Sequence, residues 1–460
     1  MKRLTILALA ALFVLGSVIS AAAAEIEASG DFRFQWVWST NLDWMASDDD
    51  GRNEDDFEAR QRFRVQIDIT ESENLRGVVN LEIGTDQWGR DDGAFPGRFG
   101  EIGQNGMIEV RRVFIDFNVP ETDLQIRVGK FGLGLPNAVV GNPICDSENT
   151  TGIMLTYPIN DMFAIAVVWA RAVDLDDANN GADNDSEQAD EMDVFGVVVP
   201  ITTDYFSFSP YVLYADLGVN VQDALGDMSA TRNNASFNFT QQHVNSGKTS
   251  TAWWAGFALD VSAFDPFWLG LDVAWGGVYA PRADSCRRGW YIAAMAAYRM
   301  DFMTPGILFW WTTGNDDDLD NGSEQLPHFG GGFSATHMAF DGGDLLDVNS
   351  NLDGEAEGTW GVAIVIQDIT FIEDLSHDFR VAYVRGTDDE GNAAERDVNG
   401  LADSEWAWEI DFNTTYMIYE NLSLVCEMGW SYLNLDEDVR AGNDDTVDAW
   451  KLGFGLQYEF

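Results

Sequence analysis

The sequence is poor in basic residues, histidine and cysteine. Its 460 residues include 26 Lys and Arg against 77 Asp and Glu, and the formal net charge is −51. A nucleic-acid-binding protein needs clustered cations against the phosphate backbone, so this charge excludes nucleic acid as a partner. The three cysteines are too few for a disulfide scaffold, and their spacing fits no zinc site.

Long apolar runs are also missing from most of the chain. No run of 18 uninterrupted apolar residues follows residue 24, which excludes a transmembrane helix there. The first residues differ, with a basic start at Met1–Arg3, an apolar run at Leu4–Ile19 and small residues at Ala21–Ala24. This order predicts a secretory signal peptide over residues 1–24. A retained membrane anchor is the alternative, but the apolar run is short for a helix that spans a bilayer.

Aromatic residues are abundant: 17 Trp, 29 Phe and 12 Tyr supply enough apolar area to exclude a disordered acidic chain. The C-terminal segment alternates with period two. Apolar side chains occupy one face at Trp450, Leu452, Phe454, Leu456, Tyr458 and Phe460. Such alternation is typical of a β-strand with one apolar face.

Similar segments recur along the whole chain. The sequence predicts 18 strands, at 26–39, 57–69, 76–86, 108–119, 124–132, 151–157, 162–171, 192–201, 206–216, 250–262, 266–277, 289–300, 305–313, 359–368, 378–387, 406–415, 421–433 and 448–460. The number becomes 16 if 305–313 and 378–387 belong to loops. Long polar connectors alternate with tight turns, so one end of the sheet carries nearly all the long loops.

This arrangement predicts an all-β fold, a transmembrane antiparallel β-barrel over residues 25–460. Lipid cannot hydrogen-bond an open sheet edge, so a spanning sheet has to close on itself. Short periplasmic turns and long extracellular loops are usual in outer-membrane barrels. The apolar face then contacts lipid, and the face with Gly and charged residues surrounds a lumen. A soluble β-sandwich or propeller is the alternative, but it leaves the alternating connector lengths unexplained.

Several segments resemble a known family. The strand-rich start Glu25–Phe34, the segment Arg127–Gly134 before a long loop and the terminal Tyr458-Glu459-Phe460 are similar to those of trimeric outer-membrane porins. Within that superfamily the chain is most similar to the homotrimeric porins of sulfate-reducing anaerobes. The Pro-Glu-Phe-Gly-Gly motif of enterobacterial general porins is absent.

The resemblance implies a homotrimer in the bacterial outer membrane, surrounded by its lipids. It also implies a third loop folded into each lumen, passive diffusion of small hydrophilic solutes, and recognition of Phe460 by the barrel-assembly machinery.

Alternation places a group of arginines inside the lumen. A lipid-facing Arg would cost roughly 2–4 kcal/mol at the bilayer midplane, so the charged face of each strand has to point inward. The candidate pore-constriction residues on the strands are Arg33, Arg60, Arg62, Arg64 and Arg127. Twelve of the 24 Lys and Arg residues after residue 24 precede residue 133.

The connector at 133–150 is the expected inward-folded loop. Its carboxylates, Asp146 and Glu148, would face the arginines across a narrow opening and create a transverse field. The alternative is that the arginines form ion pairs with Glu58, Asp68 and Glu82 on neighbouring strands and only brace the wall.

The remaining loops are rich in acidic residues. Asp316, Asp318 and Asp320 are weak candidates for a Ca²⁺ or Mg²⁺ site, because hard cations prefer oxygen ligands. No acidic cluster has the twelve-residue EF-hand form, so a solvated acidic rim is the alternative and no cofactor is expected.

The predicted function is a water-filled channel for small solutes and ions that favours cations and has an arginine-lined constriction. A channel selective for an anion such as sulfate or phosphate, or for a sugar stacked on the inward Trp254 and Trp268, is an alternative. A surface adhesin barrel is another. An enzyme is not expected, because the four histidines lie in or beside loops and none is near a Gly-x-Ser-x-Gly motif.

Overall fold

One closed barrel accounts for nearly all regular structure among the residues that the structure describes. The computed structural model describes residues 24–42, 44, 55–89, 108–174, 191–218, 237–238, 249–281, 283, 286–318, 320–340, 343, 345, 358–393, 401–440 and 446–460. The predicted signal peptide lies outside the described residues, apart from Ala24.

Eighteen long strands form the barrel, and each contains one of the alternating segments. Their bounds are β1 Glu25–Thr40, β2 Asp55–Ser72, β3 Leu75–Gln87, β4 Ile108–Asn118, β5 Gln125–Gly134, β6 Asp146–Pro158, β7 Ala164–Asp174, β8 Glu191–Val198, β9 Phe206–Leu217, β10 Ser250–Phe264, β11 Phe267–Tyr279, β12 Arg287–Tyr298, β13 Thr304–Thr312, β14 Thr359–Ile372, β15 Leu375–Gly386, β16 Trp406–Tyr419, β17 Leu422–Asn434 and β18 Ala449–Glu459. A two-residue segment, Ile201–Thr202, continues the pairing of β8 with β9.

Each strand pairs antiparallel with its neighbours in the sequence, and β18 pairs with β1, so the sheet is closed. The predicted antiparallel barrel of 18 strands is thereby confirmed. Segments 305–313 and 378–387 form β13 and β15, with neighbours on both sides, so the 16-strand alternative is wrong. No helix among the described residues is long and apolar enough to cross a membrane.

The connectors alternate in length as expected. Every odd-numbered strand leads into its successor through a longer connector, such as 41–54 or 313–358, and most even-numbered strands lead into turns of two to five residues. We call the end of the barrel with the long connectors the loop end and the other the turn end.

The outer face is apolar along most of its height. Phe454 and Leu456 of β18 point outward, and the alternate residues Gly453 and Gly455 point into the lumen. The last residue closes the seam, because Phe460 and Gly30 exchange two backbone hydrogen bonds of 2.9 and 3.1 Å.

Candidate functional site in the barrel lumen

The lumen face of β2 carries a charged side chain at every second position. Phe57 is 51% exposed on the outer face, whereas Glu58, the next residue, is 5% exposed. Arg60, Arg62 and Arg64 share the parity of Glu58 and therefore point into the lumen.

Neighbouring strands add further cations to this side of the lumen. We call the following eight residues of β1–β5 the arginine wall: Arg33, Arg60, Arg62, Arg64, Arg76, Arg111, Arg112 and Arg127. Five carboxylates lie among them: Asp31, Glu58, Asp68, Glu82 and Asp116. The arginine wall and these carboxylates carry a formal charge of about +3, in a chain whose net charge is strongly negative.

A β-bulge explains how two consecutive arginines of β4 reach the same side. Asn80 pairs with Arg112 and the next residue, Leu81, pairs with Val110, so Arg111 has no residue opposite it in β3. A bulge adds one residue to a strand and thereby changes which side the next side chain takes.

Ion pairs connect most of the arginine wall to its carboxylates. The N–O distances are 2.7 Å for Arg60–Glu58, 2.7 Å for Arg64–Glu82, 2.7 Å for Arg127–Asp116 and 3.4 Å for Arg33–Asp31, and Arg111 also contacts Glu82. Arg127 additionally lies over the Phe114 ring, 4.4 Å from its centroid. Arg62 is held less closely, at 3.5 Å from an oxygen of Asp31. The structure thus places all five sequence-predicted arginines on one wall.

The predicted acidic partner Asp146 lies away from the arginine wall. Asp146 is the first residue of β6, its backbone N–H donates to the Gly330 carbonyl at 2.6 Å, and its side chain lies beside Gly332. It lines a cavity of about 440 Å³ together with Ser147 and Phe329. Between described residues, no ion pair joins Asp146 to the arginine wall. The side chain of Glu148 lies outside the described part of the chain.

The connector between β5 and β6 folds into the lumen at residues 135–145, the first inner loop. It is shorter than the predicted 133–150, because β5 and β6 continue their pairing across a bulge as far as Gly134 and Asp146. Asp272 of β11 accepts hydrogen bonds from the backbone N–H groups of Ala138 at 2.8 Å and Val139 at 2.9 Å.

A second inner loop, residues 327–340, comes from the connector between β13 and β14, and the sequence analysis did not identify it. Phe333 and Phe340 of this loop are buried. It pairs with the first inner loop through backbone hydrogen bonds, from Ser334 to Val140 and from Phe329 to Ile144, both 2.9 Å.

Carboxylates of β16 hold the second inner loop against the barrel wall. Glu409 is 1% exposed and accepts hydrogen bonds from the Thr336 hydroxyl at 2.9 Å and from the N–H groups of Met338 at 2.6 Å and Ala339 at 3.1 Å. Arg380 of β15 donates to the Ala335 carbonyl from the same side. The wall residues thus bind loop backbone instead of facing water.

Apolar side chains fill the space between the two inner loops and the strands opposite the arginine wall. Trp254 and Trp310 are both 0% exposed and pack against Phe329 and Phe333, with ring centroids 5.0 and 5.7 Å apart. The Trp254 N–H donates to the Pro327 carbonyl at 2.7 Å. Because Trp254 is covered, it is not placed to stack on a sugar, and that expectation is wrong for this residue.

Two titratable groups of the inner loops have strongly shifted pKa values. Burial raises the pKa of the Cys145 thiol to about 12. Burial, together with the positive charge of Arg380, lowers the pKa of His337 to about 3. All three cysteines are free thiols.

The weak metal candidates form local loop contacts. Asp316 accepts a hydrogen bond from the N–H of Asp318 at 2.9 Å, and Asp318 accepts one from the N–H of Asp320 at 3.0 Å. Across the described ranges, no group of three or more His, Cys, Asp or Glu residues is placed to hold a metal ion. A loop cation therefore stays a prediction.

Solved structures share this fold over nearly the whole chain. OpdL of Pseudomonas aeruginosa is 13% identical, with a TM-score of 0.53 and coverage of 95% of this chain and 99% of that one. OpdK of P. aeruginosa with vanillate and a BenF-like porin of P. fluorescens Pf-5 are each 10% identical, also with TM-scores of 0.53. Both matches cover 94% of this chain, and they cover 98% and 99% of the other chains.

No family model and no curated protein match the sequence. At these identities the structural matches show the fold alone, and it is the fold of 18-stranded porins. One of these neighbours is named as a porin, and the expectation that this chain is not an enzyme rests on its sequence. The closer resemblance to homotrimeric porins of sulfate-reducing anaerobes stays a prediction.

Proposed function

We propose that the protein is an integral outer-membrane channel through which small hydrophilic solutes and ions diffuse along the arginine wall. The closed barrel with an apolar outer face satisfies every backbone group of a sheet that lies in lipid, and the porin fold supports the same location. The predicted signal peptide is consistent with export across the inner membrane.

The observation that carries the proposal is the division of the lumen into a filled side and a charged side. The inner loops are anchored to Tyr211, Asp272 and Glu409, on β9, β11 and β16. The ion pairs described for the arginine wall, on β1–β5, join it to carboxylates of those same strands. Water and solutes would therefore pass between the inner loops and the arginine wall.

Charge determines the proposed selectivity at two levels. The net charge of −51 would enrich cations near the mouth, so small inorganic cations would carry most of the current. Inside, the net positive arginine wall would bind anions locally. A second candidate function, selective passage of small organic anions, is favoured by this wall, and the similar barrel of OpdK was solved with vanillate.

Reversal potential across a salt gradient in a planar bilayer tests this proposal. Replacing Arg60, Arg62 or Arg64 singly by Gln removes a positive charge from the passage and should shift selectivity toward cations. Arg299→Gln, in a turn at the turn end, is the control and should leave selectivity unchanged. If all three wall variants behave like the control, the arginines only brace the wall. A wild-type protein without stepwise currents would instead be an adhesin barrel.

For assembly, we propose a homotrimer whose insertion depends on recognition of Phe460 by the barrel-assembly machinery. The Phe460 ring is 41% exposed on the outer face and stacks on Phe63, with ring centroids 5.7 Å apart. Deleting Phe460 should reduce the amount of inserted barrel in cells, measured by membrane fractionation, without preventing refolding of the purified chain in detergent.

A further inference from the structure

Four aromatic side chains face outward near the loop end of neighbouring strands. We call them the aromatic arc: Trp290 of β12, Trp311 of β13, Trp360 of β14 and Tyr383 of β15. Trp311 lies directly opposite Trp360 in the register, and the ring centroids of Trp360 and Tyr383 are 5.7 Å apart. Outward aromatic residues of membrane barrels concentrate at the boundary between acyl chains and lipid headgroups.

Two arginines continue the outer face beyond the aromatic arc. Arg288 is the next outward residue from Trp290 toward the loop end, and Arg385 is the next outward residue from Tyr383. Both arginines are exposed. Residues two positions apart in a strand share a face and lie about 7 Å apart along it. The two guanidinium groups therefore lie at the level of the lipid headgroups.

The contacts of these arginines leave their charge available. The Arg385 Nε donates to the backbone carbonyl of Asp403 at 2.6 Å. The guanidinium of Arg288 lies over the ring of Tyr279, 5.3 Å from its centroid, and this ring is 42% exposed on the outer face of β11. Within the described ranges, neither arginine forms an ion pair. An aromatic ring fixes the position of a cation without neutralising its charge.

The surrounding outer face is free of acidic side chains. In the loop-end halves of β12–β15, the described outward positions hold only aromatic, aliphatic and arginine side chains. Arg171, an outward arginine near the loop end of β7, is different, because Asp193 and Glu191 lie 3.1 and 2.8 Å from its guanidinium. The face with Arg288 and Arg385 is thus locally positive in a chain whose net charge is −51.

We infer that Arg288 and Arg385 bind phosphate groups of an anionic glycolipid in the outer leaflet. This inference rests on the proposed membrane location and adds to it the lipid that the outer face recognises. A guanidinium group donates two parallel hydrogen bonds to a phosphate. Solutes that diffuse through the lumen do not reach this face, and acyl chains carry no charge. The headgroup phosphate is therefore the anion that this position fits.

The spacing of the two arginines gives each a phosphate of its own. β12 and β15 are three strands apart, and at a tilt of about 45° their Cα atoms at one depth are about 20 Å apart. The connector between β13 and β14, from which the second inner loop comes, leaves the barrel between them. Bound glycolipid would therefore cover the outer face of the strands that flank this connector.

A lipid with and without its phosphates tests the inference. The full-length mature protein in mild detergent is titrated with diphosphoryl lipid A, or with the same glycolipid after removal of both phosphates, and binding is measured by native mass spectrometry. Wild type should bind the phosphorylated form about tenfold more tightly. The double variant Arg288→Gln and Arg385→Gln should lose this preference. Lys130→Gln is the control, because Lys130 is an outward cation of β5 whose Nζ donates to the Val110 carbonyl at 2.7 Å.

Three results would overturn the inference. They are equal binding of both glycolipids by wild type, an unchanged preference in the double variant, and an equal loss of preference in Lys130→Gln. Displacement of the glycolipid by millimolar inorganic phosphate would also overturn it, since the site would then take a free anion. Folding of each variant is checked by circular dichroism and by heat-modifiable gel mobility.

Channel currents separate this inference from the proposed function. Both arginines lie outside the lumen, so the double variant should keep the stepwise currents of wild type in a planar bilayer. A wild-type protein without currents would count against the proposed function alone, because the lipid preference is measured without a bilayer.

Tyr279 provides a second test that keeps both arginines. Tyr279→Leu removes the ring beneath Arg288 and should weaken binding of diphosphoryl lipid A about two- to fivefold. Tyr279→Phe keeps the ring and should bind as wild type does. Equal affinities of wild type and Tyr279→Leu would show that Arg288 is not part of the site, and the inference would fail for this arginine.

Discussion

The carboxylate of Glu409 accepts the backbone N–H of Met338 at 2.6 Å and joins the barrel wall to the second inner loop. The same carboxylate binds the Thr336 hydroxyl and the Ala339 N–H. A buried carboxylate on a lumen wall is costly unless its oxygens are satisfied, and here the loop backbone satisfies them. The contact therefore links the stability of the wall to the position of the loop.

Replacing Glu409 by Gln should loosen the second inner loop. The amide NH₂ would replace one carboxylate oxygen and face the donors of the loop, so about 1–3 kcal/mol of loop anchoring should be lost. We expect a larger and noisier single-channel conductance in a planar bilayer. Glu420→Gln, in the exposed turn between β16 and β17, is the control. Conductance identical to that of wild type would show that Glu409 does not position the loop.

Asp272 should have the corresponding role for the first inner loop. Each of its oxygens accepts one backbone N–H, so Asn would set its NH₂ against Ala138 or Val139. Cys145 reports the opening of this loop, because its thiol is 1% exposed and its raised pKa leaves little reactive thiolate. Alkylation of Cys145 should accelerate about tenfold or more in Asp272→Asn, since each 1.4 kcal/mol corresponds to a factor of ten.

This measurement needs a protein in which Cys145 is the only thiol. Cys286 and Cys426 are therefore replaced by Ser, and labelling at residue 145 is confirmed by peptide mass. Asp301→Asn, in the exposed turn between β12 and β13, is the matched control and should label at the wild-type rate. If Asp272→Asn labels no faster than this control, Asp272 does not anchor the loop.

Substitutions of Arg127 and Arg62 should distinguish two roles of the arginine wall, stabilising the barrel and determining the ion selectivity of the passage. Arg127 makes two hydrogen bonds to Asp116, at 2.7 and 2.9 Å, and lies over Phe114. Arg127→Gln should therefore cost about 1–3 kcal/mol of unfolding free energy, measured in urea with lipid vesicles. Arg62→Gln should change ion selectivity with a smaller loss, because its contact with Asp31 is 3.5 Å long. Equal losses in both variants would contradict this division.

The strands could be predicted from the sequence because lipid requires an apolar outer face on each of them. An apolar outer face fixes the parity of every strand, and parity alone placed Arg60, Arg62 and Arg64 inside the lumen. Segment 305–313 is apolar on its lumen face as well, because Trp310 on that face packs against Phe333 of the second inner loop. The pairing of β13 and β15 with neighbours on both sides confirms that 305–313 and 378–387 are strands.

The second inner loop was missed because loops carry no periodic signal. Its apolar residues Phe329, Phe333, Met338 and Phe340 interrupt an otherwise polar connector, and that run was the available indication. The partners of Asp272 and Glu409 were not readable either, since an acidic residue on a lumen face looks the same whether water or a loop covers it. The contacts of Asp272 and Glu409 with the inner loops could be identified only from the structure of the closed barrel.

Lowering the pH should release the second inner loop through His337. The closed loop keeps His337 neutral down to its pKa of about 3, because the side chain is buried near Arg380 and Lys451. An opened loop would take up a proton near the ordinary value of about 6.5. The closed loop is therefore unaffected by His337 above pH 6.5 and loses stability relative to the opened loop as the pH falls from 6.5 toward 3. At pH 4.5 the equilibrium between the closed and the opened loop shifts up to about a hundredfold toward opening.

Comparison of wild type with His337→Asn at pH 7.5 and pH 4.5 isolates this effect from the titration of the carboxylates. Asn is neutral at both values, so the variant should lack the part of the pH response that depends on His337. We expect acid to increase the single-channel conductance and its noise, the same measurement as for Glu409→Gln, more in wild type than in the variant. An identical pH response in the two proteins would show that His337 does not couple proton uptake to loop opening.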